Sequence, residues 1–345
     1  MPLISDSASA RRSVAGKSLK ILLAFLFTGA ALWLSFRKLD GRALIGALRS
    51  VRWPWVAAAL ANIVAGVYIL GARWHVLLSP RANVPAGPLF RLNILAQFVN
   101  IVMPARLGEV VRLFLAARER SLPASFVLGT IGAEKILDVL VFAGLWAVIP
   151  ASLALGRSSS SLAFIAVIVA ASAVLLSAVI RRPEGVIRVA RAIAGRIAPS
   201  KRPHVEGWIR NALEAVAPLR KPSVLAVLSL WTAGIIANQV LSNYFVFLAF
   251  GFTLPLQAGV LVLLAVQAGA VPPSLPGKIG VFEYAVVLAL GVYSVSSGAA
   301  LAYAIVLHLV AYLPKIILGS VFMGTTRWGR PSRLHLRSAD DVTPR

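Results

Sequence analysis

Residues 92–117 read LNILAQFVNIVMPARLGEVVRLFLAA, and residues 256–293 read LQAGVLVLLAVQAGAVPPSLPGKIGVFEYAVVLALGVY. Each is an apolar run interrupted near its middle by Pro and Gly, with a charge at the break. In the first, Leu89–Met103 meets Pro104 and resumes as Leu107–Ala117; in the second, Leu256–Val271 meets Pro272-Pro273 and Pro276-Gly277 and resumes as Ile279–Tyr293. A straight helical crossing of the hydrocarbon layer takes about 20 residues. Most of these arms are shorter, so the economical reading is a helix–break–helix that dips into the membrane and returns.

The rest of the chain agrees with that setting. Hydrophobic residues make up 59% of 345 and charged residues 14%, and the mean hydropathy is +0.83, all far from a soluble domain. Continuous apolar spans cover Lys20–Phe36, Trp53–Leu78, Leu122–Pro150, Leu162–Ile180, Ser223–Phe250 and Gly298–Met323. In lipid, such segments must satisfy their own backbone, which dictates helices. The fold class is therefore all-α, a polytopic integral membrane protein with six spanning helices and two oppositely inserted re-entrant hairpins. Residues 1–19 form a basic N-terminus, 20–324 a single membrane domain with an amphipathic insertion at 181–221, and 325–345 a basic tail. Arg11, Arg12, Lys17 and Lys20 precede the first apolar stretch as in a signal peptide. No small-residue cleavage site follows, so it reads as an uncleaved span.

The net charge of +23 comes from Arg and Lys placed mostly between spans. That is the pattern of topology signals and of contact with anionic headgroups, so no nucleic-acid partner is expected. Residues 181–221 hold ten Arg/Lys against three Glu, and five Arg follow Met323, which puts both regions and both termini on the cytoplasmic side. Residues 251–255 and 294–297 carry no charge and face outside. Arg37–Arg52, with five basic residues, also falls outside; Leu39, Leu44, Leu48 and Val51 would let it lie as an interfacial helix. The chain has no Cys, and its four His are scattered, so neither a thiolate nor a His metal site is expected, and no cofactor is implied.

Side by side, Pro104-Ala105-Arg106-Leu107-Gly108 and Pro276-Gly277-Lys278-Ile279-Gly280 share a pattern of Pro, small, basic, aliphatic, Gly, each soon followed by a carboxylate, Glu109 or Glu283. With the first hairpin entering from the cytoplasm and the second from outside, this is an inverted repeat, whose binding sites form near the midplane. Pro104, Gly108, Pro276, Gly277 and Gly280 are the structural breaks. Freed N–H groups with Arg106 or Lys278 beside them would suit a phosphate. Glu134, Lys135 and Asp138 add charge inside the third clear span, Glu134 and Asp138 on one helix face. Intramembrane charge is costly and faces a partner or a polar cavity. The expected pairing sets Arg106, Arg112, Lys135 and Lys278 against Glu109, Glu134, Asp138 and Glu283. Gln97, Asn100 and Gln267 read as groups that satisfy broken backbone. Trp53, Trp55, Trp74 and Trp328 read as interfacial anchors, and His308 as a hydrogen-bonded helix contact.

Asn100…Pro104-x-Arg106-x-Gly108-Glu109-x-x-Arg112, Glu134-Lys135-x-x-Asp138 and Pro276-Gly277-x-x-Gly280-x-x-Glu283 resemble the signature of the lysylphosphatidylglycerol synthase/flippase-like transmembrane family, the membrane part of the bacterial multiple peptide resistance factor. The resemblance runs from about Leu19 to Met323. It implies a lipid-translocating fold in the bacterial cytoplasmic membrane, with stand-alone members tied to hopanoid or polyprenyl-lipid pathways. Ala105 replaces a commoner Gly, Lys278 interrupts Pro-Gly-Gly, and Lys135 replaces Arg. No long polar region is left for the family's aminoacyl-transferase domain, so synthesis of lysyl-lipid is not expected.

The leading expectation is a flippase-like transporter of a phosphate-bearing lipid, with Arg106, Glu109, Arg112, Glu134, Asp138, Lys278 and Glu283 forming the substrate site. Its partners would be membrane lipids with an anionic head, a second copy of the chain, or proteins of envelope-lipid assembly. Rival expectations are a membrane enzyme acting on a lipid-linked sugar or phosphate, and a non-transporting subunit. Neither an Asp-x-Asp nor a His-containing phosphatase-like cluster is present to favour the enzyme.

Overall fold

On either side of each Pro/Gly interruption, the two flanking apolar helices pack against each other. The computed structural model describes residues 26, 28–34, 41–103, 107–154, 207, 210–212, 214–269 and 275–326. Among them the helices are α1 (Gly41–Arg49), α2 (Trp53–Leu78), α3 (Ala86–Val102), α4 (Gly108–Glu119), α5 (Ala124–Ala154), α6 (Pro222–Phe250), α7 (Leu256–Gly269), α8 (Val281–Gly291) and α9 (Ser297–Thr325), with single 3-10 turns at Ala217–Arg220 and Pro276–Lys278. The described residues contain no strand.

Three helices, α2, α6 and α9, are long and apolar enough to cross a membrane, and α3 and α7 are apolar but short. The 31-residue α5 has the length but carries Glu134, Lys135 and Asp138. The spans expected at Leu162–Ile180 and, in large part, at Lys20–Phe36 lie outside the described residues, as do both termini and most of the 181–221 insertion. The exterior carries Leu230, Val139, Phe114 and Leu256, each more than 60% exposed. Such an apolar outer surface suits lipid and not water.

The long helices alternate in direction. Trp55 stacks on Phe245, and Arg73 near the other end of α2 donates to Thr232 Oγ1, so α2 and α6 are antiparallel. Phe247 stacks on Tyr303, setting the start of α9 beside the end of α6. One end of the bundle thus holds Trp53, Phe250 and Ser297, and the other holds Leu78, Pro222 and Thr325. Between α2 and α6, Asn62 and Asn238 exchange hydrogen bonds: Asn62 Nδ2 donates to Asn238 O and Ser242 Oγ, and Asn238 Nδ2 to Asn62 Oδ1, at 2.7–2.8 Å. Amides paired in this way tie apolar helices together where the hydrophobic effect cannot.

The two hairpins open toward opposite ends. In the α3–α4 pair, Phe90 meets Phe322 near the end of α9, and Arg91 Nη2 donates to Glu119 Oε1 at 2.6 Å, so both mouths lie at the Leu78 end. The α7–α8 pair leaves from Phe250 and returns to Ser297, at the Trp53 end. Each has its own apolar core: Trp74, Leu89, Leu95, Leu115 and Phe126 around the first, and Phe247, Val262, Phe282, Val286 and Tyr303 around the second. Their breaks are closed by side chains. Asn100 Oδ1 accepts from Gly108 N–H at 2.8 Å, and Glu283 Oε2 accepts from Gly280 N–H at 2.6 Å, each satisfying a free donor at a helix start.

The basic Arg37–Arg52 stretch contains α1, which packs on α9, and Arg52 N–H donates to Ala249 O at 2.9 Å. Residues 41–52 therefore lie at the Trp53 end of the bundle, beside residues 251–255. At the opposite end Arg81 grips Glu214 and Asn211, and that hydrogen bond holds the Glu214 carboxyl below its ordinary range.

Gly108 is where the first hairpin is tightest, because a Cβ there would lie 1.9 Å from Ala96 O. Gly108→Ala is expected to cost about 2–3 kcal/mol through forced backbone separation, lowering the thermal midpoint of the detergent-solubilised protein by several degrees. Gly87→Ala, which meets open space, should leave the midpoint unchanged.

Candidate functional site

Charge inside the bundle collects in two places. The first is a network of three cations and three carboxylates from α2, α4 and α5. Arg73 Nη1 lies 2.6 Å from Asp138 Oδ1, and its Nε lies 3.8 Å from Glu134 Oε1. Arg112 Nη1 reaches Glu134 Oε2 at 2.7 Å and Glu109 Oε2 at 3.9 Å, while Lys135 Nζ lies 3.0 Å from Glu109 Oε1. Arg73, Arg112 and Glu134 are buried, whereas Lys135 is mostly exposed. The Arg112 guanidinium rests 3.6 Å above the Trp74 ring, and Trp74 Nε1 is held by Thr130 Oγ1 at 3.0 Å.

The Glu134–Asp138 spacing puts both acids on one face of α5, as the sequence implies, and α4 presents Glu109 and Arg112 to that face. The expected pairing needs correction in three respects. Arg73, absent from the expected set, is the cation that holds Asp138 and shares Glu134. Glu283 does not join this network; its Oε1 lies 2.6 Å from His308 Nδ1 on α9. Lys278 is likewise elsewhere, and Arg106, with Pro104, lies outside the described residues. Trp74 is no interfacial anchor: it is fully buried, because its ring covers Arg112. His308 is the hydrogen-bonded helix contact expected of it, packed between Phe282 and Tyr312 at 4.6 and 4.3 Å.

The second place is a cavity of about 330 Å³ between the hairpin tips. Gln97 and Asn100 enter it from the first hairpin, Gln267 and Lys278 from the second, Gln239 from α6 and Lys315 from α9. Gly66, Asn238 and Ala311 also line it, each within two residues of the middle of its long helix. The cavity thus lies at mid-height in the bundle. Among the described residues, two lysines face it and no carboxylate does. Lys278 stands in a turn where Gly277, Lys278 and Gly280 all have positive φ, at 74°, 58° and 83°. Gly280 can be nothing larger, since a Cβ would lie 2.7 Å from Leu32 Cγ. A non-glycine residue held in that conformation is a strained backbone at the point where its side chain enters the cavity.

Of the three amides expected to satisfy broken backbone, Asn100 does so. Gln97 and Gln267 line the cavity and make no hydrogen bond among the described residues, which leave out the broken backbone at 104–106 and 270–274. Lys315 was also missed, although a lone Lys beside Pro314 inside an apolar span is a signal of its kind.

Residues 21–319 match the family described as Lysylphosphatidylglycerol synthase TM region, and the chain belongs to that family. It is 27% identical over 336 residues to Glycosyltransferase AglD of Haloferax volcanii, covering 87% of this chain and 53% of the relative, so it spans about half that protein's length. It is also 23% identical over 224 residues to the UPF0104 membrane protein MJ1078 of Methanocaldococcus jannaschii, covering 65% of this chain and 92% of the relative.

Removing one partner from a buried ion pair leaves the other charge without compensation. Glu134→Gln leaves Arg112 only its 3.9 Å contact to Glu109 and leaves Arg73 only Asp138, and it is expected to destabilise the protein by about 3–5 kcal/mol in denaturant unfolding. Asp138→Asn, at a position more open to solvent, should cost distinctly less.

Proposed function

We propose that this membrane protein moves a phosphate-bearing lipid between leaflets, its headgroup passing through the cavity at the hairpin tips while its acyl or polyprenyl tails stay in lipid. The observation that carries this reading is a mid-height cavity lined, among the described residues, by two lysines and no carboxylate, and shared by two helix pairs that open toward opposite ends of the bundle. In this reading the hairpins are re-entrant from opposite faces of a bacterial cytoplasmic membrane, both termini are cytoplasmic, and six helices cross.

The chemistry follows from the cost of charge in hydrocarbon. A phosphate cannot cross the apolar layer without losing its hydration. Lys278 and Lys315 would replace part of that hydration with charge-assisted hydrogen bonds. Loading from one face and release to the other require small movements of each hairpin against the long helices. The ion network belongs to the first hairpin and braces it: Glu109 and Arg112 on α4 are tied to Glu134 and Lys135 on α5. Arg112 Nε and Nη2 have no acceptor among the described residues, which leaves donors for Arg112 to exchange partners as the hairpin moves. Glu283, joining the break at Gly280 to His308, does the same for the second hairpin.

A second reading has one observation in its favour, the similarity to a relative named as a glycosyltransferase. There the same cavity would hold a lipid-linked sugar phosphate for chemistry instead of transfer across the layer.

Liposomes containing the purified protein and a fluorescent anionic phospholipid distinguish these readings. Wild type is expected to expose inner-leaflet probe to a membrane-impermeant quencher. Lys278→Gln/Lys315→Gln should slow that exposure at least about tenfold, the loss of two charge-assisted contacts. Equal rates would refute the cavity's role in transport.

A further inference from the structure

The amides of the cavity divide into two sets. Asn100, Asn238 and Asn243 are committed to the fold: Asn100 caps α4, Asn238 pairs with Asn62, and Asn243 Nδ2 donates to Gly259 O at 2.8 Å. Gln97, Gln239 and Gln267 line the same space, are only partly buried, and make no hydrogen bond among the described residues. They come from three different helices, α3, α6 and α7, so their convergence is not a by-product of one helix face. An apolar bundle that needed only to pack would gain by filling these positions with Leu or Met.

We propose that the cavity selects a hydroxyl-rich anionic lipid head, with Lys278 and Lys315 taking the phosphate and Gln97, Gln239 and Gln267 taking hydroxyls. A primary amide offers both donors and an acceptor, and a hydroxyl is likewise both, so the two match without charge. Lysine alone would bind any phosphate; the three amides supply discrimination among phosphates, because an unanswered polar group in such a site is costly. The size agrees: about 330 Å³ is at the lower end of ligand cavities and suits a ring-sized head, not a whole lipid. The same lining disfavours a cationic, aminoacylated head, for its described residues present two lysines and no carboxylate to receive a third cation. This inference rests on the cavity being the headgroup site, but not on the protein's moving what it binds.

Binding separates the two. The full-length protein in nanodiscs is titrated with three short-chain lipids: phosphatidylinositol, phosphatidylmethanol with the same charge and no hydroxyls, and lysyl-phosphatidylglycerol. Wild type is expected to bind phosphatidylinositol about tenfold more tightly than phosphatidylmethanol, and lysyl-phosphatidylglycerol most weakly. Gln97→Leu/Gln239→Leu/Gln267→Leu should abolish the tenfold preference while leaving phosphatidylmethanol binding in place. Lys278→Gln/Lys315→Gln should weaken both anionic lipids. Equal binding of the two anionic lipids by wild type overturns the proposal without recourse to any variant, and so does tightest binding of the lysyl lipid. The predicted preference without transport in liposomes would support this inference and remove the transporter reading.

Discussion

Everything in this bundle depends on satisfying charge and broken backbone where water is scarce. The Arg73–Glu134–Arg112 contact is the centre of that solution. One buried carboxylate is shared by two guanidiniums from different helices, and Glu109 and Asp138 complete the count so that three cations meet three acids. Because the network is neutral, it can sit inside apolar helices. Because its members come from α2, α4 and α5, the first hairpin cannot shift without rearranging it. The second hairpin is held by different means, through a carboxylate that closes the helix start at Gly280 and also receives His308.

Among the described residues, no acid lines the space between the hairpin tips. Glu109, Glu134 and Asp138 are engaged in the ion network and Glu283 with His308, and Lys278 and Lys315 line the cavity. The positive φ of Lys278, in a turn bounded by two glycines, aims one of those charges from the break itself. The broken backbone is thus both the reason for the hairpin and the means of placing a cation at mid-height.

Much of this architecture was legible in the sequence, for physical reasons. Apolar arms around Pro and Gly are shorter than a straight crossing, so the short paired helices α3–α4 and α7–α8 were legible from length and breakers. The i, i+4 spacing of Glu134 and Asp138 placed them on one face before any partner was known. What could not be read was pairing across helices that are distant in sequence. Arg73 lies five residues from the end of an apolar span, where an Arg ordinarily reaches for headgroups, and only the approach of α5 reveals its partners. Trp74 carried the same ambiguity, since a Trp near a span end anchors or packs according to its neighbours. Asn100 and Glu283 satisfy Gly108 and Gly280, and Gln97 and Gln267 line the cavity, a convergence of helices that no spacing in the sequence announces.

The central claim is that two hairpins enter from opposite faces and meet at one cavity, and accessibility measures it directly. The chain has no cysteine, so single cysteines can be read without background. Placed at Ala86 or Glu119 they mark the mouth of the first hairpin, and at Leu256 or Tyr293 that of the second. Labelled with a membrane-impermeant maleimide in sealed right-side-out vesicles and again after permeabilisation, the first pair should react only once the membrane is opened, and the second pair in both conditions. Reaction of Ala86→Cys and Glu119→Cys from opposite sides would show that the first broken segment crosses the membrane, and the account of a shared cavity would fail.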